Sequence, residues 1–368
     1  MGRSFTVTAS AVVTPEGLRE RARIEVDGGR IVEVGPVPAG SAVPDRVLAP
    51  GFVDLQVNGF ADVDCSAARD RDWDRLDELI LAQGVTAWCP ALVTAPLGAY
   101  AEPIARIGEA ASRPDAAGRP TVLGAHLEGP FLGGAPGAHR RQHLVPIDLE
   151  WLGALPDSVR VVTLAPELPG APDAIRLLAG RGVLVSLGHS TATFEEARRG
   201  ADAGARLVTH LFNGMGPLHH RRPGLLGAAL SDDRLTPSVI ADGVHVHPAV
   251  LRTAALAKGA GHWVLVTDAV AWESARVGDR AIEVRDGAPR LADGTLAGSA
   301  LTMDAAVRRM VTECGVPLAD AVGAASTTPA ALLGRADRGR IVPGARADLV
   351  ALTPDLTVSE VWIAGLAP

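Results

Sequence analysis

The sequence predicts an α/β protein: a (β/α)8 TIM barrel with a small β-sandwich-like domain formed by both chain termini. Two observations lead to this fold. Eight short apolar runs alternate with helical patterns through the middle of the chain, and strand-like segments occur at both ends. The 368 residues, 47% of them hydrophobic, suit one barrel with an appendage. We expect residues 1–49 and 340–368 to form the small domain and residues 50–339 the barrel.

The eight apolar runs are rich in Val, Leu and Ile, as parallel strands buried on both faces must be. They are Phe52–Val57, Val85–Leu92, Thr121–Leu127, Val159–Leu164, Val183–Leu187, Arg206–Thr209, Ser238–Ile240 and Trp263–Val266. Between them, Trp73, Leu76 and Ile80 recur at helical spacing. Thr193 and Glu196 match a capping box, which predicts a helix start. A doubly wound open sheet is the alternative, but it normally carries a Gly-rich phosphate loop after an early strand, and no good one is found.

Strand-like segments mark both ends of the chain. Residues 22–26 and 30–34 alternate in polarity around a turn at residues 27–29, which indicates a hairpin. Residues 347–351 and 358–363 follow the same pattern. The two β-rich ends therefore predict one small domain that both termini build.

Composition excludes several classes of protein. The net charge is 35 − 42 = −7, and an acidic surface repels nucleic acid and anionic membranes. No apolar stretch reaches the roughly 18 residues of a membrane span, and residues 1–10 do not resemble a signal peptide. The cysteines, Cys65, Cys89 and Cys314, are too few and too scattered for a disulfide framework or a cysteine zinc site. We expect a cytoplasmic protein.

Polar residues of one chemical kind follow the apolar runs. In a barrel, the carboxyl ends of the strands share one pocket, where catalysis takes place. The acids and imidazoles at these ends are Glu128, His189, His210, His245 and Asp268. A single histidine at such a position is most often a cap or a core residue, but five such groups at successive strand ends favour a functional site.

Two imidazoles and one carboxylate form the ligand set of a catalytic zinc ion with one position left open. Such a metal lowers the pKa of water towards neutrality. A carboxylate that is not a ligand can take a proton from this water and pass it to the leaving group. Asp268, at the end of the last strand, suits that role.

Seven stretches at these positions carry a family resemblance. They are residues 50–59, 126–131, 188–190, 209–213, 241–245, 266–269 and 294–299. In this order they closely resemble the N-acetylglucosamine-6-phosphate deacetylase family of the amidohydrolase superfamily. The resemblance implies removal of acetate from the 2-acetamido group of a sugar 6-phosphate.

The resemblance also implies the metal site. Glu128, His189 and His210 would be the metal ligands, and Asp268 the general base and then the general acid. One divalent metal ion per subunit is expected. Zinc is the default, and iron, manganese, cobalt and nickel accept the same ligands.

The substrate contacts follow from the same resemblance. His139 and His245 would polarise the acetyl carbonyl, hold the sugar or help to hold the phosphate, and the sequence does not divide these roles. Asn213 and the Gly214 amide would contact phosphate and sugar. Arg221 would bind the phosphate in the neighbouring subunit, which implies a homodimer.

Three departures from the family pattern carry consequences. Gln56 and Asn58 stand where many amidohydrolases have His-x-His, and amides are poor metal ligands, so we expect one metal. Gln56 is expected to hydrogen-bond the water of the metal site. Gly214 replaces the usual alanine and loosens the turn. Trp272–Arg280 does not match the expected Gly/Ala-rich loop, so substrate preference could differ if this segment borders the pocket.

Other functions remain open at this point. An N-acyl-amino-acid or cyclic-amide hydrolase could use the same barrel and metal ligands. A non-catalytic barrel that acts as a binding protein is a remote alternative, since the ligands and the base are all present. The glucosamine and galactosamine epimers differ in one hydroxyl group, and no residue in the sequence identifies which is preferred.

Overall fold

The structure, a computed structural model, describes residues 4–114 and 118–366. The expected small domain extends to residues 1–3 and 367–368, which lie outside the described residues. The α-helices are Arg71–Leu81, Ala101–Ala111, Leu149–Gly153, Ala171–Gly180, Phe194–Ala203, Gly224–Ser231, Pro248–Lys258, Met303–Thr312, Leu318–Ala325 and Thr327–Leu332. Short 3-10 helices span Leu97–Ala99, Arg141–His143 and Trp272–Ser274.

Eight parallel strands form the barrel, which confirms the predicted fold. They are Phe52–Val57, Val85–Leu92, Ala125–Glu128, Val159–Leu164, Leu184–Leu187, Leu207–Val208, Thr236–Val239 and Val264–Leu265. Thr121–Val122 is a short additional strand beside the second of these. The ring closes after the last strand, where the Asp268 amide donates to the Gln56 carbonyl at 3.0 Å and the Asn58 amide donates to the Ala269 carbonyl at 2.8 Å. The closure therefore places Gln56, Asn58 and Asp268 side by side.

The predicted helix starts and faces are present. Trp73, Leu76 and Ile80 are buried on the helix Arg71–Leu81, so their spacing marks the face that packs on the barrel. Thr193 and Glu196 form the complete capping box, because each side chain accepts a hydrogen bond from the other residue's backbone N–H. Within the described part of the chain, no helix is both long and apolar enough to cross a membrane.

The terminal segments build the small domain together, as predicted, but in the described residues they form one six-stranded mixed sheet and not a sandwich of two sheets. Its strands are Phe5–Thr14, Gly17–Asp27, Arg30–Pro36, Val47–Pro50, Leu349–Leu352 and Val358–Trp362. The predicted hairpin turns at Gly28 and Gly29, whose φ angles of 55° and 79° suit glycine. A separate hydrophobic cluster that includes Val7, Ile24 and Ile341 lies on this sheet. We propose on this basis that residues 1–49 and 340–368 form one domain beside the barrel of residues 50–339.

Residues 270–298, named here the roof segment, follow the last barrel strand. Its short strands are Arg276–Val277, Arg280–Ala281, Glu283–Arg285 and Ala288–Arg290, and a similar small pair, Gly59–Phe60 and Val63–Asp64, follows the first barrel strand. The roof segment has its own buried apolar cluster: Val270, Val277, Ile282, Leu291 and Ala297. Val93 and Ala138 from the barrel loops pack against this cluster, so the roof segment is docked on the carboxyl end of the barrel.

A buried ion pair supports the junction between the terminal sheet and the last helices. The Arg338 side chain is 1% exposed, and its Nη1 lies 3.7 Å from Oδ2 of Asp348, at the start of the strand Leu349–Leu352. Arg346 Nε also contacts this carboxylate, at 2.8 Å from Oδ1, so Asp348 keeps one cation without Arg338. We expect Arg338→Ala to lower the free energy of unfolding by about 2 kcal/mol, because it removes a buried side chain and the cation beside Oδ2. Urea denaturation measures this loss. The control Arg176→Ala, at an exposed surface pair, should change it by less than about 0.5 kcal/mol; an equal effect of the two variants contradicts the prediction.

Candidate active site

The predicted site residues converge on one cavity of about 400 Å³ at the carboxyl ends of the barrel strands. Those on its wall are Glu128, His139, His189, His210, Asn213, Gly214, His245 and Asp268. Gln56 is buried and contacts two of these residues. Arg221 is exposed and does not line the cavity of its own chain. The strand ends therefore bring together every predicted residue except Arg221.

Glu128 is the centre of the polar cluster. It is 3% exposed, and its Oε1 lies 3.1 Å from His189 Nε2 and 3.0 Å from His210 Nε2. Burial alone would raise the pKa of Glu128, but the contacts with the surrounding histidines outweigh it and hold the pKa well below its usual range. For His210, burial would lower the pKa, but the contact with Glu128 outweighs burial, so the pKa of His210 is raised. The cluster therefore favours a carboxylate with positive charge beside it.

Backbone carbonyls orient two of the histidines. His189 Nδ1 lies 3.2 Å from the Ala135 carbonyl oxygen, and His210 Nδ1 lies 3.2 Å from the Asn213 carbonyl oxygen. A carbonyl only accepts hydrogen bonds, so each Nδ1 carries the hydrogen and each neutral ring directs an Nε2 lone pair at Glu128. This arrangement of carbonyl, imidazole and ligand atom is typical of metal-binding histidines.

His139 differs from these two rings. The Thr94 amide donates to His139 Nδ1 at 3.2 Å, so the hydrogen of the neutral ring is on Nε2. That Nε2 lies 3.2 Å from His189 Nε2 and 3.6 Å from Glu128 Oε2. Distance alone groups Glu128, His139 and His189 as a metal-binding set, with ligand atoms within 4.8 Å of one another. The hydrogen-bond pattern instead favours His210 as the third ligand and His139 as a hydrogen-bond donor.

The residue types present thus fit a divalent metal ion. Two imidazole lone pairs and one carboxylate oxygen face one point, and all three are buried. Without a proton or a cation among them, these atoms would repel one another at about 3 Å. We propose Glu128, His189 and His210 as the ligand set.

Two amides hold Asp268 in place. Gln56 Nε2 donates to Asp268 Oδ1 at 3.0 Å, and Asn58 Nδ2 donates to the same oxygen at 2.7 Å. Thr209 Oγ1 donates to Gln56 Oε1 at 2.8 Å and fixes that amide's orientation. Since both amides contact Oδ1, Oδ2 is the oxygen available for proton transfer. Burial, helped by the charge of Glu128, raises the pKa of Asp268.

Gln56 also donates to Glu128 Oε1, at 2.9 Å. Both ends of its amide therefore contact protein groups, which makes it a bridge between the expected ligand Glu128 and the expected base Asp268. Its expected contact with the water of the metal site stays a prediction.

The backbone at these strand ends is unusual. His189, His210 and Asp268 have φ angles of 49°, 27° and 48°, a region that residues other than glycine rarely adopt. Such conformations cluster at functional sites because the surrounding structure must hold them. The left-handed turn at each strand end accompanies the entry of these side chains into the cavity.

His245 and Gly214 lie on the same wall. His245 Nδ1 lies 2.6 Å from Asp242 Oδ2. Burial would raise the pKa of Asp242, but the hydrogen bond with His245 outweighs burial and lowers the pKa. Asp242 is therefore an ionised carboxylate, and its hydrogen bond fixes the orientation of the His245 ring. Gly214 has a φ of 58°, and a Cβ there would lie 2.7 Å from His189 Nδ1. The glycine therefore allows the backbone to approach a proposed metal ligand.

Sequence reasoning missed two supporting acids. Asp242 orients His245, and the only signal for it is its position at a strand end, three residues before that histidine. Glu167 accepts from the Thr191 amide at 2.8 Å and from Ser190 Oγ at 2.6 Å. It also accepts from the Gly134 amide at 3.3 Å, which ties the loop bearing Ala135 to the strand end of His189.

The roof segment borders the cavity. Val277, Asp279 and Arg280 lie on its wall, as do Arg290 and residues 294–298. Trp272, at the start of the atypical stretch, packs instead on Phe60, with ring centroids 4.6 Å apart. The end of the atypical stretch Trp272–Arg280 therefore forms part of the cavity wall.

The fold and the centre define a class, the metal-dependent hydrolases built on a (β/α)8 barrel. The chain belongs to the amidohydrolase family, whose model matches residues 47–367. The N-acetylgalactosamine-6-phosphate deacetylase of Escherichia coli O157:H7 is 38% identical over 379 residues, which cover 98% of each chain. The N-acetylglucosamine-6-phosphate deacetylase of Homo sapiens is 41% identical over 345 residues, which cover 87% of this chain and 83% of the human one.

A solved structure gives the same result. N-acetyl-D-glucosamine-6-phosphate deacetylase from Mycobacterium smegmatis, a mutant in complex with N-acetyl-D-glucosamine-6-phosphate, has a TM-score of 0.92 and 34% identity. The match covers 100% of this chain and 99% of that one. These findings confirm the resemblance that the ordered motifs indicate.

Loss of a proposed ligand should remove the metal. We expect His210→Ala and His189→Ala to retain less than about a tenth of the wild-type metal, because each removes one of three protein ligands. Metal content after gel filtration, measured by plasma mass spectrometry, checks this. His262→Ala, at an exposed position, is the control and should bind metal as the wild type does. A metal-loaded His210→Ala variant would rule out the ligand set.

Proposed function

We propose that the protein hydrolyses N-acetyl-D-glucosamine 6-phosphate to glucosamine 6-phosphate and acetate. The observation that carries the proposal is the buried centre of Glu128, His189 and His210 beside the fixed carboxylate Asp268. Deacetylases of phosphorylated amino sugars match this chain over most of its length, which supports the choice of substrate. The reaction breaks a linear amide C–N bond.

Glu128, His189 and His210 would hold one divalent metal ion. When bound, it supplies Lewis-acid chemistry, which lowers the pKa of water and polarises a carbonyl group. Zinc is the expected ion, since a site with two imidazoles, one carboxylate and an open position is typical of catalytic zinc. Iron, manganese, cobalt and nickel also bind such ligands.

Asp268 would move the proton. Its Oδ1 is held by Gln56 and Asn58, so Oδ2 can accept a proton from the attacking water and later donate it to the leaving nitrogen. The raised pKa of Asp268 suits a group that must both take and return a proton near neutral pH. Asn58 Oδ1 is buried and has no partner among the described residues, so it is available to accept from the substrate's amide N–H.

The two remaining histidines would divide the substrate contacts. His139 presents an Nε2–H beside the centre, so we assign it to the acetyl carbonyl oxygen, where a donor stabilises developing negative charge. His245, fixed by Asp242, would hold a sugar hydroxyl group. Asn213 and the Gly214 amide would contact the sugar phosphate.

A homodimer would complete the phosphate site. Arg221 is exposed and outside the cavity of its own chain, which is compatible with a role in the neighbouring subunit's site. A guanidinium group matches phosphate oxygens through two parallel hydrogen bonds. The three cysteines are free and buried, which supports the cytoplasmic location expected from the sequence.

The galactosamine epimer is a second candidate substrate. Relatives of the two kinds match this chain about equally well: the N-acetylgalactosamine-6-phosphate deacetylase is 38% identical over 98% of this chain, and the human N-acetylglucosamine enzyme is 41% identical over 87%. Both epimers present the same acetamide and the same phosphate to the residues assigned above.

The direct test is acetate release from both epimeric N-acetylhexosamine 6-phosphates and from unphosphorylated N-acetylglucosamine. We expect turnover of a phosphorylated sugar, loss of activity on chelation and recovery on zinc addition. Asp268→Asn should keep its metal and lower kcat by about 10³-fold, because an amide cannot accept the proton.

Three results would oppose the proposal. Near wild-type kcat in Asp268→Asn would remove Asp268 from proton transfer. Equal turnover of phosphorylated and plain sugars would show that the protein does not recognise the phosphate. No turnover of any of these sugars by the metal-loaded protein would favour an N-acyl-amino-acid or cyclic-amide substrate.

A further inference from the structure

Three arginines that the assigned roles leave unused lie on the cavity wall: Arg140, Arg280 and Arg290. Arg140 follows His139 directly, and the other two belong to the roof segment. The whole chain has a net charge of −7, so three positively charged side chains on one cavity wall contrast with the acidic charge of the chain. Glu128 and Asp268 occupy the metal end of the same cavity.

Arg140 and Arg280 form a crossed bridge between the His139 loop and the roof segment. Arg140 Nε lies 2.5 Å from Asp279 Oδ2, and Arg280 Nη1 donates to the Ala138 carbonyl at 2.5 Å. The two contacts therefore involve the residues directly before and after His139, Ala138 and Arg140. The bridge thus joins the loop that carries His139 to the roof segment on the wall of the cavity.

The charge of two arginines is not neutralised by contact. Among the described residues, no carboxylate oxygen lies within 4.0 Å of Arg280 or Arg290, whose guanidinium groups donate only to backbone carbonyls. Asp293 lies farther from Arg280. The pKa of Asp293 is lowered mainly by hydrogen bonds from Thr295, and the charge of Arg280 lowers it further. A half-buried guanidinium group with free N–H donors on a cavity wall is a binding site for an anion.

Arg140 is held by its ion pair with the Asp279 side chain and by a hydrogen bond from its Nη2 to the Asp279 backbone carbonyl at 3.3 Å, and an anion can replace the ion pair. The Arg140 and Asp279 side chains are 37% and 56% exposed, and ion pairs with this exposure contribute little to stability. A phosphate dianion carries twice the charge of Asp279 and presents three acceptor oxygens. It can therefore attract Arg140 away from Asp279 at small cost.

We propose that Arg140 and Arg280 bind the phosphate of the substrate from within the same chain, with Arg290 adding positive charge. The inference rests on the proposed function, because it names the group that this cavity recognises. It adds to that function an anion subsite made by the chain that carries the metal, besides the Arg221 expected from a partner subunit. In this account Asp279 competes with phosphate for Arg140.

Binding of inorganic phosphate to the full-length, metal-loaded protein tests the subsite without turnover. By isothermal titration calorimetry, Arg280→Gln and Arg140→Gln should each weaken phosphate binding about tenfold, as expected for loss of one charge-assisted contact. Asp279→Asn should tighten it about threefold, because Arg140 loses its charged partner and keeps only the backbone contact to residue 279. The control Arg285→Gln changes an exposed arginine of the roof segment that is not on the wall and has no contact with Asp279, and it should leave phosphate affinity unchanged.

The Asp279 variant separates binding from a purely structural latch. Both Asp279→Asn and Arg280→Gln remove one arm of the crossed bridge, so a latch alone predicts that both weaken binding. Tighter phosphate binding in Asp279→Asn together with weaker binding in Arg280→Gln supports the proposal. The same sign for the two variants, or phosphate affinity in Arg280→Gln within twofold of the wild type, overturns it.

Kinetics then place the subsite on the substrate. The ratio of kcat/KM for phosphorylated over plain sugar should fall about tenfold in Arg280→Gln, mainly through KM. An unchanged ratio would overturn the assignment to the substrate's phosphate. If the wild type releases no acetate from any phosphorylated sugar, the proposed function fails, whereas the calorimetric signs still decide whether the arginines form an anion site.

Discussion

A buried carboxylate that faces two imidazole lone pairs is the constraint on which the rest of the site depends. Glu128 is almost fully buried, and an uncompensated charge at such a depth is costly. The carbonyls of Ala135 and Asn213 fix the rings of His189 and His210 so that their lone pairs point at it. Only positive charge at this point makes the arrangement favourable, and the neighbouring loops are built around that requirement.

The supporting contacts reach well beyond the three proposed ligands. Glu167 ties the loop that carries Ala135 to the strand end of His189, so a carboxylate outside the cavity fixes a ligand's tautomer. Thr209, directly before His210, orients the Gln56 amide, which contacts both carboxylates of the site. The same strand ends thus supply the ligands and the groups that orient them.

Amides in place of His-x-His change what the first strand contributes. Gln56 and Asn58 donate hydrogen bonds to Asp268, so they stabilise its carboxylate instead of binding a second metal. Both amides contact Oδ1, which leaves Oδ2 for the proposed proton transfer. The proton transfer proposed for Asp268 would therefore depend on two amide residues at the end of the first strand of the barrel.

Much of this architecture could be predicted from the sequence, because strands buried on both faces produce continuous apolar runs and functional residues follow those runs directly. The tautomer of His139 could not, since it depends on the Thr94 amide in a loop with no distinctive pattern. Asp242 and the wall arginines also escaped prediction. Arg280 reaches the cavity only because the roof segment folds back over the barrel, a tertiary contact that no local periodicity encodes.

The number of metal ions that each chain binds distinguishes a one-metal site from a two-metal site. The wild-type apoprotein would be titrated with zinc by calorimetry, and the bound metal counted by plasma mass spectrometry. We expect one tightly bound ion per chain, because the amides of Gln56 and Asn58 are hydrogen-bonded to Asp268 and Glu128. Two tightly bound ions per chain would contradict this expectation, since the amides would then belong to a second metal site and Asp268 would be a ligand.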